Sequence, residues 1–285
     1  MSGVAEDRHG EQGLATDEAG PLRLYWWNGK PNFGDAINPD IVASVSGRQV
    51  VWASPAECDL LAIGSVLGFG PVRDRLESRE HPLPYIWGSG VLNLRPVLDA
   101  GPELPSRIKA LRGPFTAQRL PGYSGPFGDP GLLVSRVQPA VNARSGIGLV
   151  PHHQQWNEPA QIDQLRSAGF RLIDVRLADP WEVVRQIAGC EAVISTSLHG
   201  LIVADAYGIP NVWLDGLDPF KFYDYFYSVR RGDRRARSLS EALHEVETGA
   251  ARTADRDVVA EVQRQLVEAF PQELCARARQ ERSMQ

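Results

Sequence analysis

Short apolar runs alternate with amphipathic segments along most of the chain. The apolar runs predict strands at 22–27, 49–52, 60–63, 85–87, 108–111, 147–150, 171–175 and 192–195. Between them, apolar residues at helical spacing predict helices at 36–45, 114–120, 159–168 and 181–188. Strands that alternate with helices in this way are typical of α/β proteins with parallel sheets.

The segment 193–214 carries the strongest indication of a ligand site. Its apolar strand ends in three hydroxyl residues at 195–197, His199 and Gly200 open an apolar helix, and Gly208 ends that helix before another strand. Open α/β sheets bind ligands at the carboxyl ends of their strands, and a helix N-terminus offers backbone N–H groups to an anion. We therefore expect His199 to lie beside a bound phosphate or carboxylate. The three hydroxyls also suit helix caps.

A Gly-, Pro- and Ser-rich stretch at 122–145 separates two successive α/β series. We predict one domain at 21–140 and a second at 141–285. An acidic, Gly-rich tail at 1–20 has few large apolar residues and is predicted to be disordered. The fold class expected from this order is α/β, with two Rossmann-like domains that face a cleft in a GT-B-like layout.

The C-terminal part of the chain predicts two further helices. Ser238 and Glu241 form a capping box for a helix that ends near Gly249. A last helix, which should close the fold and end at Pro271, has four apolar residues on one face: Val258, Val262, Leu266 and Phe270.

Composition narrows the functional classes. The 285 residues are 43% hydrophobic and carry a formal net charge of −5, which gives no indication of nucleic-acid binding. The three cysteines are scattered and form no C-x-x-C pair, so neither a disulfide framework nor a zinc site is indicated. The sequence contains no signal-peptide pattern and no apolar run of about 18 residues. We expect a soluble, cytoplasmic protein.

Five short motifs, in order between residues 22 and 228, resemble the signature segments of polysaccharide pyruvyl transferases. They are Asn32–Asp35, Arg112–Pro114 paired with Gly128–Pro130, Ile147–His152, Ser197–Gly200 and Lys221–Asp224. The resemblance implies transfer of the enolpyruvyl group of phosphoenolpyruvate to two hydroxyls of a saccharide. The product is a cyclic pyruvate ketal, phosphate is released, and no metal or other cofactor is required.

This chemistry needs donors for a carboxylate and a phosphate, and an acid–base group that titrates near neutrality. We assign the acid–base role to His199 and expect Arg112 to hold the carboxylate in a bidentate contact. Many members of the family have arginine at the position of Ser197, so Lys221 is a candidate replacement for that charge. The expected phosphoenolpyruvate-binding residues are Arg112, His152, Ser197, Leu198, Gly200 and Lys221; Gly200 would let the ligand approach closely.

The expected acceptor-binding residues are Asn32, Asp35, Gly64, Ser65, Gly90 and His153. Asp35 equally suits a cap for the helix at Ala36, with Gly34 in a tight turn. Asp129 is expected to fix the domain crossing rather than to take part in chemistry. His152 and His153 are adjacent on an extended chain and should face opposite ways, which argues against a shared metal. For the same reason at most one of Trp26 and Trp27 should face the cleft, where it would stack on a sugar.

Two other functional classes stay open. A GT-B-like glycosyltransferase would need a carboxylate for the ribose of a nucleotide sugar, and only Asp205 and Asp215 lie near the elbow. A non-catalytic, sugar-binding relative would explain Ser197. The arginines at 230–237 favour a solvated loop, with contact to a lipid-linked pyrophosphate acceptor or an anionic membrane surface as the alternative. Membrane contact is thus expected to be peripheral at most.

Overall fold

The computed structural model describes residues 20–78, 82–92, 101–120, 122–167, 170–216, 218–232 and 234–276. Apart from Gly20, the tail predicted to be disordered lies outside these residues. The described chain forms two parallel five-stranded sheets with helices between the strands. This result confirms the α/β class and agrees with the predicted Rossmann-like halves; the GT-B-like layout and the domain boundaries stay predictions.

The N-terminal half contains the first sheet. Its strands are β1 (Leu22–Tyr25), β2 (Val50–Trp52), β3 (Leu60–Leu61), β4 (Tyr85–Trp87) and β5 (Ile108–Ala110). Its helices are α1 (Phe33–Ala36), α2 (Asn38–Ser46), α3 (Gly70–Glu77), α4 (Leu104–Arg107) and α5 (Pro114–Ala117). The strands lie in the order β2-β1-β3-β4-β5, and every neighbouring pair is parallel.

The C-terminal half contains the second sheet. Its strands are β6 (Ile147–Val150), β7 (Arg171–Leu172), β8 (Ala192–Ser195), β9 (Asn211–Leu214) and β10 (Arg235–Ala236). Its helices are α6 (Pro159–Ser167), α7 (Pro180–Ala188), α8 (Leu198–Ala206), α9 (Phe220–Ser228), α10 (Leu239–Glu247) and α11 (Arg256–Glu268). The parallel strands lie in the order β10-β9-β8-β6-β7.

Both sheets repeat one strand order. Counted from its own first strand, each half places its second strand outside the first and its third strand on the other side. The direction of winding therefore reverses between β1 and β3, and again between β6 and β8. In open α/β sheets the loops at such a reversal leave a crevice at the carboxyl ends of the strands, where ligands bind.

The segment between the halves is packed into the core. Residues Pro130–Arg136 form a 3-10 helix in which 130–134 are buried, and this helix contacts α2, α8 and α11. The stretch predicted from its Gly and Pro content as a crossing therefore contains an apolar anchor. Leu132 and Val134 are fully buried because the helices of both halves cover them.

The two predicted C-terminal helices are confirmed. The Ser238 hydroxyl accepts a hydrogen bond from Glu241 N at 3.1 Å at the start of α10. On α11, Val262 and Leu266 are buried, and the Leu266 carbonyl accepts from Trp87 Nε1 at 2.8 Å. The last helix thus returns to the first sheet. No helix of the described residues is long and apolar enough to cross a bilayer.

Candidate active site

A pocket of about 670 Å³ lies where loops from both sheets meet. Segments that follow β1 and β3 form one side, and segments that follow β6 and β8 form the other. The pocket is thus lined from both points of strand-order reversal. Of the predicted site residues, eleven line it: Asn32, Asp35, Gly64, Ser65, Arg112, His152, His153, Ser197, Leu198, His199 and, from α9, Lys221.

The elbow between β8 and α8 is held by its own hydroxyls. Ser195 Oγ accepts from Ser197 N at 2.9 Å and lies 3.0 Å from the Val150 carbonyl. Thr196 Oγ1 accepts from His152 N at 2.9 Å, which ties the loop after β6 to the elbow. Ser197 occupies the N-cap position, but within the described residues its side chain makes no capping hydrogen bond. The helix-cap interpretation of these hydroxyls is therefore wrong.

His199 lies in the first turn of α8, 9% exposed, with the ring of Phe33 edge-on to its imidazole. Burial, followed by the charges of Lys221 and Arg112, lowers the pKa of His199 to about 3. Its Nε2 lies 4.0 Å from Asp129 Oδ2. Both atoms are buried and have no hydrogen-bond partner in the part of the chain that the structure describes.

Gly34 makes room for His199. A Cβ atom at this position would lie 1.9 Å from His199 Nδ1, so no other residue fits without movement of the ring or of α1. The sequence predicted Gly34 in a tight turn, whereas the residue lies inside α1. Its lack of a side chain serves contact with the C-terminal half instead.

Asp35 does not cap a helix, because α1 begins before it at Phe33. The cap interpretation is wrong, and the carboxylate faces the pocket instead. Asp35 Oδ2 accepts from Asn32 Nδ2 at 2.6 Å. Burial raises the pKa of Asp35 to about 7, against the opposing effects of the Asn32 hydrogen bond and the charge of Lys221.

Lys221 brings a cation to the pocket from α9. Burial lowers the pKa of Lys221 to about 8; the charge of Arg112 adds to this effect, while Asp35 and Asp218 oppose it. Lys221 thus lines the same pocket as Ser197, and its role as the replacement cation stays a prediction. A lysine with this pKa is still mostly protonated at neutral pH.

Arg112 lines the pocket but is held by the protein. Its Nε donates to Asp224 Oδ2 at 3.1 Å, one Nη donates to Ser65 Oγ at 2.5 Å, and the other donates to the Val91 carbonyl at 2.6 Å. Three of its five N–H groups are thus engaged. The predicted pairing of Arg112 with phosphoenolpyruvate stays a prediction. Only the remaining two N–H groups of Arg112 could donate to the ligand.

Gly90 and Gly200 are not among the described residues that line the pocket. A Cβ at Gly90 would lie 2.5 Å from the guanidinium carbon of Arg112, so this glycine makes room for that side chain. A Cβ at Gly200 would lie 2.4 Å from Ser195 Oγ, so this glycine lets α8 pack on β8. The predicted direct roles of both glycines in ligand binding are corrected to packing roles.

His152 and His153 both line the pocket, and their ring centroids lie 4.1 Å apart. The prediction that they face opposite ways is wrong, because the chain is no longer extended once β6 ends at Val150. Burial lowers the pKa of His152 to about 3, with Lys221 the next cause. No metal-binding cluster of His, Cys, Asp or Glu is found among the described residues.

Two pocket residues, Phe69 and Arg119, were not singled out from the sequence, and Phe69 lies with Trp27 at the exposed rim. The rings of Trp27 and Phe69 meet edge to face at 5.3 Å, and both side chains are more than one third exposed. Arg119 lines the same pocket, and its buried Nε has no hydrogen-bond partner among the described residues. Trp26 packs against the core, so only one of the two adjacent tryptophans faces the pocket, as predicted.

Asp205 is engaged in the core and faces no nucleotide site. Its carboxylate accepts from Tyr225 Oη at 2.9 Å, from Arg231 Nη1 at 3.1 Å and from the Ala254 backbone N–H at 2.9 Å. The solvated-loop interpretation of the arginine run is therefore wrong for Arg231, whose side chain is only 8% exposed. Asp215 pairs with Arg235 at the surface.

Comparison with known proteins agrees with the motifs. Residues 128–218 match the family described as polysaccharide pyruvyl transferase. The chain is 30% identical over 200 residues to succinoglycan biosynthesis protein ExoV of Rhizobium meliloti (strain 1021), covering 65% of this chain and 57% of that protein. It is 32% identical over 154 residues to an uncharacterized protein of Acanthamoeba polyphaga mimivirus, covering 45% of this chain and 53% of that one.

The chain thus spans a little over half the length of these curated relatives. A solved structure of an uncharacterized protein from Klebsiella pneumoniae aligns with 74% of this chain and 91% of that chain, at 11% identity and a TM-score of 0.41. The family match includes the Gly128–Pro130 and Ser197–Gly200 motifs, whose Asp129 and His199 face each other in the structure. The family match over residues 128–218 and the similarity to ExoV therefore agree with the motifs in relating this chain to the polysaccharide pyruvyl transferases.

Proposed function

We propose that this protein is a pyruvyl transferase that moves the enolpyruvyl group of phosphoenolpyruvate onto two hydroxyls of a saccharide. The observation that carries the proposal is the convergence of the family motifs. Asp35 from α1, His199 from α8 and Lys221 from α9 line one pocket although they are far apart in the sequence. The same convergence supports a GT-B-like arrangement of the halves.

The donor is an anion with a carboxylate and a phosphate, and the buried floor of the pocket suits it. Lys221 supplies a desolvated cation, and the first turn of α8 offers the backbone N–H groups of Leu198 and His199. Arg119 adds a guanidinium whose Nε is unsatisfied in the described structure. These groups carry the charge that Ser197 does not supply.

The reaction needs one proton donor and a base. His199 would protonate the methylene carbon, an acceptor hydroxyl oxygen would bond to C2, and the hydroxyl proton would pass to Asp35. The C2–O bond to phosphate then breaks, and the second hydroxyl closes the ketal and gives its proton to His199. The proton on Asp35 leaves with the phosphate, so both groups return to their starting states and the protons balance. His199 is neutral in the empty pocket, but the negative charge of bound phosphoenolpyruvate raises the pKa of a nearby imidazole. Asp35, with a pKa of about 7, is matched to a base at neutral pH.

The acceptor would lie at the rim. Trp27 and Phe69 give the exposed side of the pocket an aromatic surface, and aromatic side chains with a few placed polar groups are typical of small-molecule sites. His153 and Asn32 line the same pocket, and Asn32 donates to Asp35. We propose that one sugar ring rests there with its hydroxyl pair directed at Asp35.

Thermal melting tests the donor. Phosphoenolpyruvate should raise the melting temperature, because a ligand that binds only the folded state stabilises it by mass action. Lys221→Met should weaken binding about 10- to 100-fold through loss of a charge-assisted contact. Lys109→Met, which removes a lysine beside Tyr85 and away from the pocket, should leave the shift unchanged. A shift with nucleotide sugars and none with phosphoenolpyruvate would replace the proposal with a glycosyltransferase.

Phosphate release with a panel of saccharides tests turnover. His199→Ala should lower the rate by roughly 10²- to 10⁴-fold, the usual contribution of a positioned acid–base group. His244→Ala, an exposed histidine on α10, is the matched control and should retain the parental rate. A His199→Ala rate within a few-fold of the parent would refute the acid–base assignment. Free, polymeric and lipid-linked saccharides in the panel identify the form of the acceptor.

A further inference from the structure

We propose that Asp129 is a positioning residue that holds a proton on Nε2 of His199, so that Nδ1 is the nitrogen that serves the pocket. The inference rests on the proposed function for its role in turnover. Its structural part concerns the imidazole alone and is testable in the unliganded protein. The sequence pointed to Asp129 only as a residue that fixes the domain crossing.

The geometry at Asp129 separates its two oxygens. Oδ1 accepts from Gly131 N at 2.9 Å and so caps the 3-10 helix that begins at Pro130. Oδ2 is directed at His199 Nε2, 4.0 Å away. In the described structure, Asp129 Oδ2 and His199 Nε2 are buried and have no hydrogen-bond partner, and leaving such atoms unsatisfied costs free energy. A proton on Nε2 and a short approach of the two groups would satisfy both at once.

The other edge of the ring is set by Gly34. Nδ1 lies against the backbone of this glycine, at the wall of the pocket that His199 lines. Cδ2 lies on the side of Gly131, where a Cβ would be 3.7 Å from it. The imidazole is therefore confined between the loop before β6 and the N-terminal half. This confinement gives its two nitrogens different surroundings, one facing a carboxylate and one facing the pocket.

The charges around the His199 imidazole determine what the Asp129 carboxylate can contribute. Lys221 on α9 and Arg112 after β5 disfavour the protonated form of His199, and His199 in turn lowers the pKa of His152 after β6. Asp35 on α1 lies on the pocket side. Asp129 is the carboxylate on the Nε2 side, and burial raises its pKa to about 6. Its anion is thus available near neutral pH to stabilise an imidazolium that forms when phosphoenolpyruvate binds, an arrangement that also fixes the tautomer.

The first test is ¹⁵N NMR of histidine-labelled, unliganded protein, with His199 assigned from the His199→Gln spectrum. We expect Nε2 to be protonated and Nδ1 to be unprotonated at pH values near 7. Asp129→Asn keeps an acceptor for Gly131 N but places an amide NH₂ group opposite Nε2. Because that group only donates, the variant should move the proton to Nδ1.

Asp255→Asn is the matched control. Asp255 accepts from Asp257 N at 2.8 Å at the start of α11, in the same i to i+2 geometry but at the exposed surface. This variant should leave the His199 spectrum unchanged. A parent protein with its proton on Nδ1, or an Asp129→Asn variant that retains the proton on Nε2, would overturn the inference. The parent measurement needs only the assignment variant His199→Gln and therefore stands even if Asp129→Asn folds poorly.

The second test separates this inference from the proposed function. In Asp129→Asn the melting shift with phosphoenolpyruvate should persist, while turnover falls roughly 10²- to 10⁴-fold and the pH profile moves. A parent protein without phosphoenolpyruvate binding would refute the proposed function and leave the tautomer result standing. Parental turnover and an unmoved pH profile in Asp129→Asn would refute the positioning role itself.

Discussion

The backbone of Gly34 lies against the imidazole of His199, so a single hydrogen atom in place of a side chain allows two distant motifs to meet. The absence of a side chain has the same effect at Gly90, which leaves room for the Arg112 guanidinium. Residue identity at these glycines therefore reflects contact between segments far apart in the sequence rather than local turn geometry.

Gly34→Ala should reduce both stability and turnover. The added Cβ would displace the ring or α1, and overpacking of this kind costs about 1–3 kcal/mol. A displacement of the acid–base group by about 1 Å is enough to lower a rate by about 100-fold. Urea unfolding and phosphate release measure the two effects. Gly68→Ala is the control, because Gly68 lines the same pocket and no described atom lies within 4 Å of its added Cβ.

Asp35→Asn should stabilise the protein more at pH 8 than at pH 5. The raised pKa of Asp35 means that its stabilising effect is complete below the ordinary value of 3.8 and is lost as the pH rises through about 7. The charged carboxylate is therefore a cost at pH 8, and its removal should raise the free energy of unfolding by up to about 4 kcal/mol. Urea unfolding at both pH values tests this, with the exposed Asp163→Asn as control. An equal gain at both pH values would contradict it.

At the scale of elements, α5 of the N-terminal half is capped from the C-terminal half. Its N-cap residue is Gly113, which has no side chain, and Asp224 on α9 takes over the role. Asp224 Oδ1 accepts from Phe115 N and Thr116 N, both at 3.0 Å. Asp224 Oδ2 accepts from Thr116 Oγ1 at 2.6 Å and pairs with Arg112.

Asp224→Ala should therefore lower the free energy of unfolding by about 3–5 kcal/mol, because it leaves a buried guanidinium uncompensated. Asp215→Ala, which removes a partly exposed partner of Arg235, should cost at most about 1 kcal/mol. The midpoints of urea unfolding compare the two. If Asp224→Ala fails to fold, Asp224→Asn retains an acceptor for the α5 backbone and should show a smaller loss.

The elements that the sequence predicted are those with local signals. Apolar runs located the strands, and Ser238 with Glu241 located α10 through a cap that the structure contains. The packing of residues 130–134 and the role of Asp224 were not predictable in this way, because both depend on partners more than 60 residues away in the sequence. At the site, His199 and Lys221 were identified from motifs, whereas Arg119 has no local pattern that distinguishes it from a surface arginine.

At the scale of the whole molecule, contacts between the halves should make them unfold together. Trp87 of the first sheet bonds to α11, Asp224 caps α5, and Gly34 abuts His199. With 5-fluorotryptophan, the ¹⁹F lines of Trp87 and Trp213, assigned from the two Trp→Phe variants, should lose intensity at the same urea midpoint. Two separate midpoints would show that the halves unfold independently. Phosphoenolpyruvate should raise both midpoints equally.

The return of α11 to Trp87 has a consequence for the newly made chain. Synthesis proceeds from the N-terminus, and domains generally begin to fold in that order. Every described pocket residue precedes α11, but this helix, whose Val262 and Leu266 pack against Gly128, is translated after all of them. A ribosome-bound chain therefore carries every described residue of the pocket before α11 is available to pack against Gly128 and Trp87.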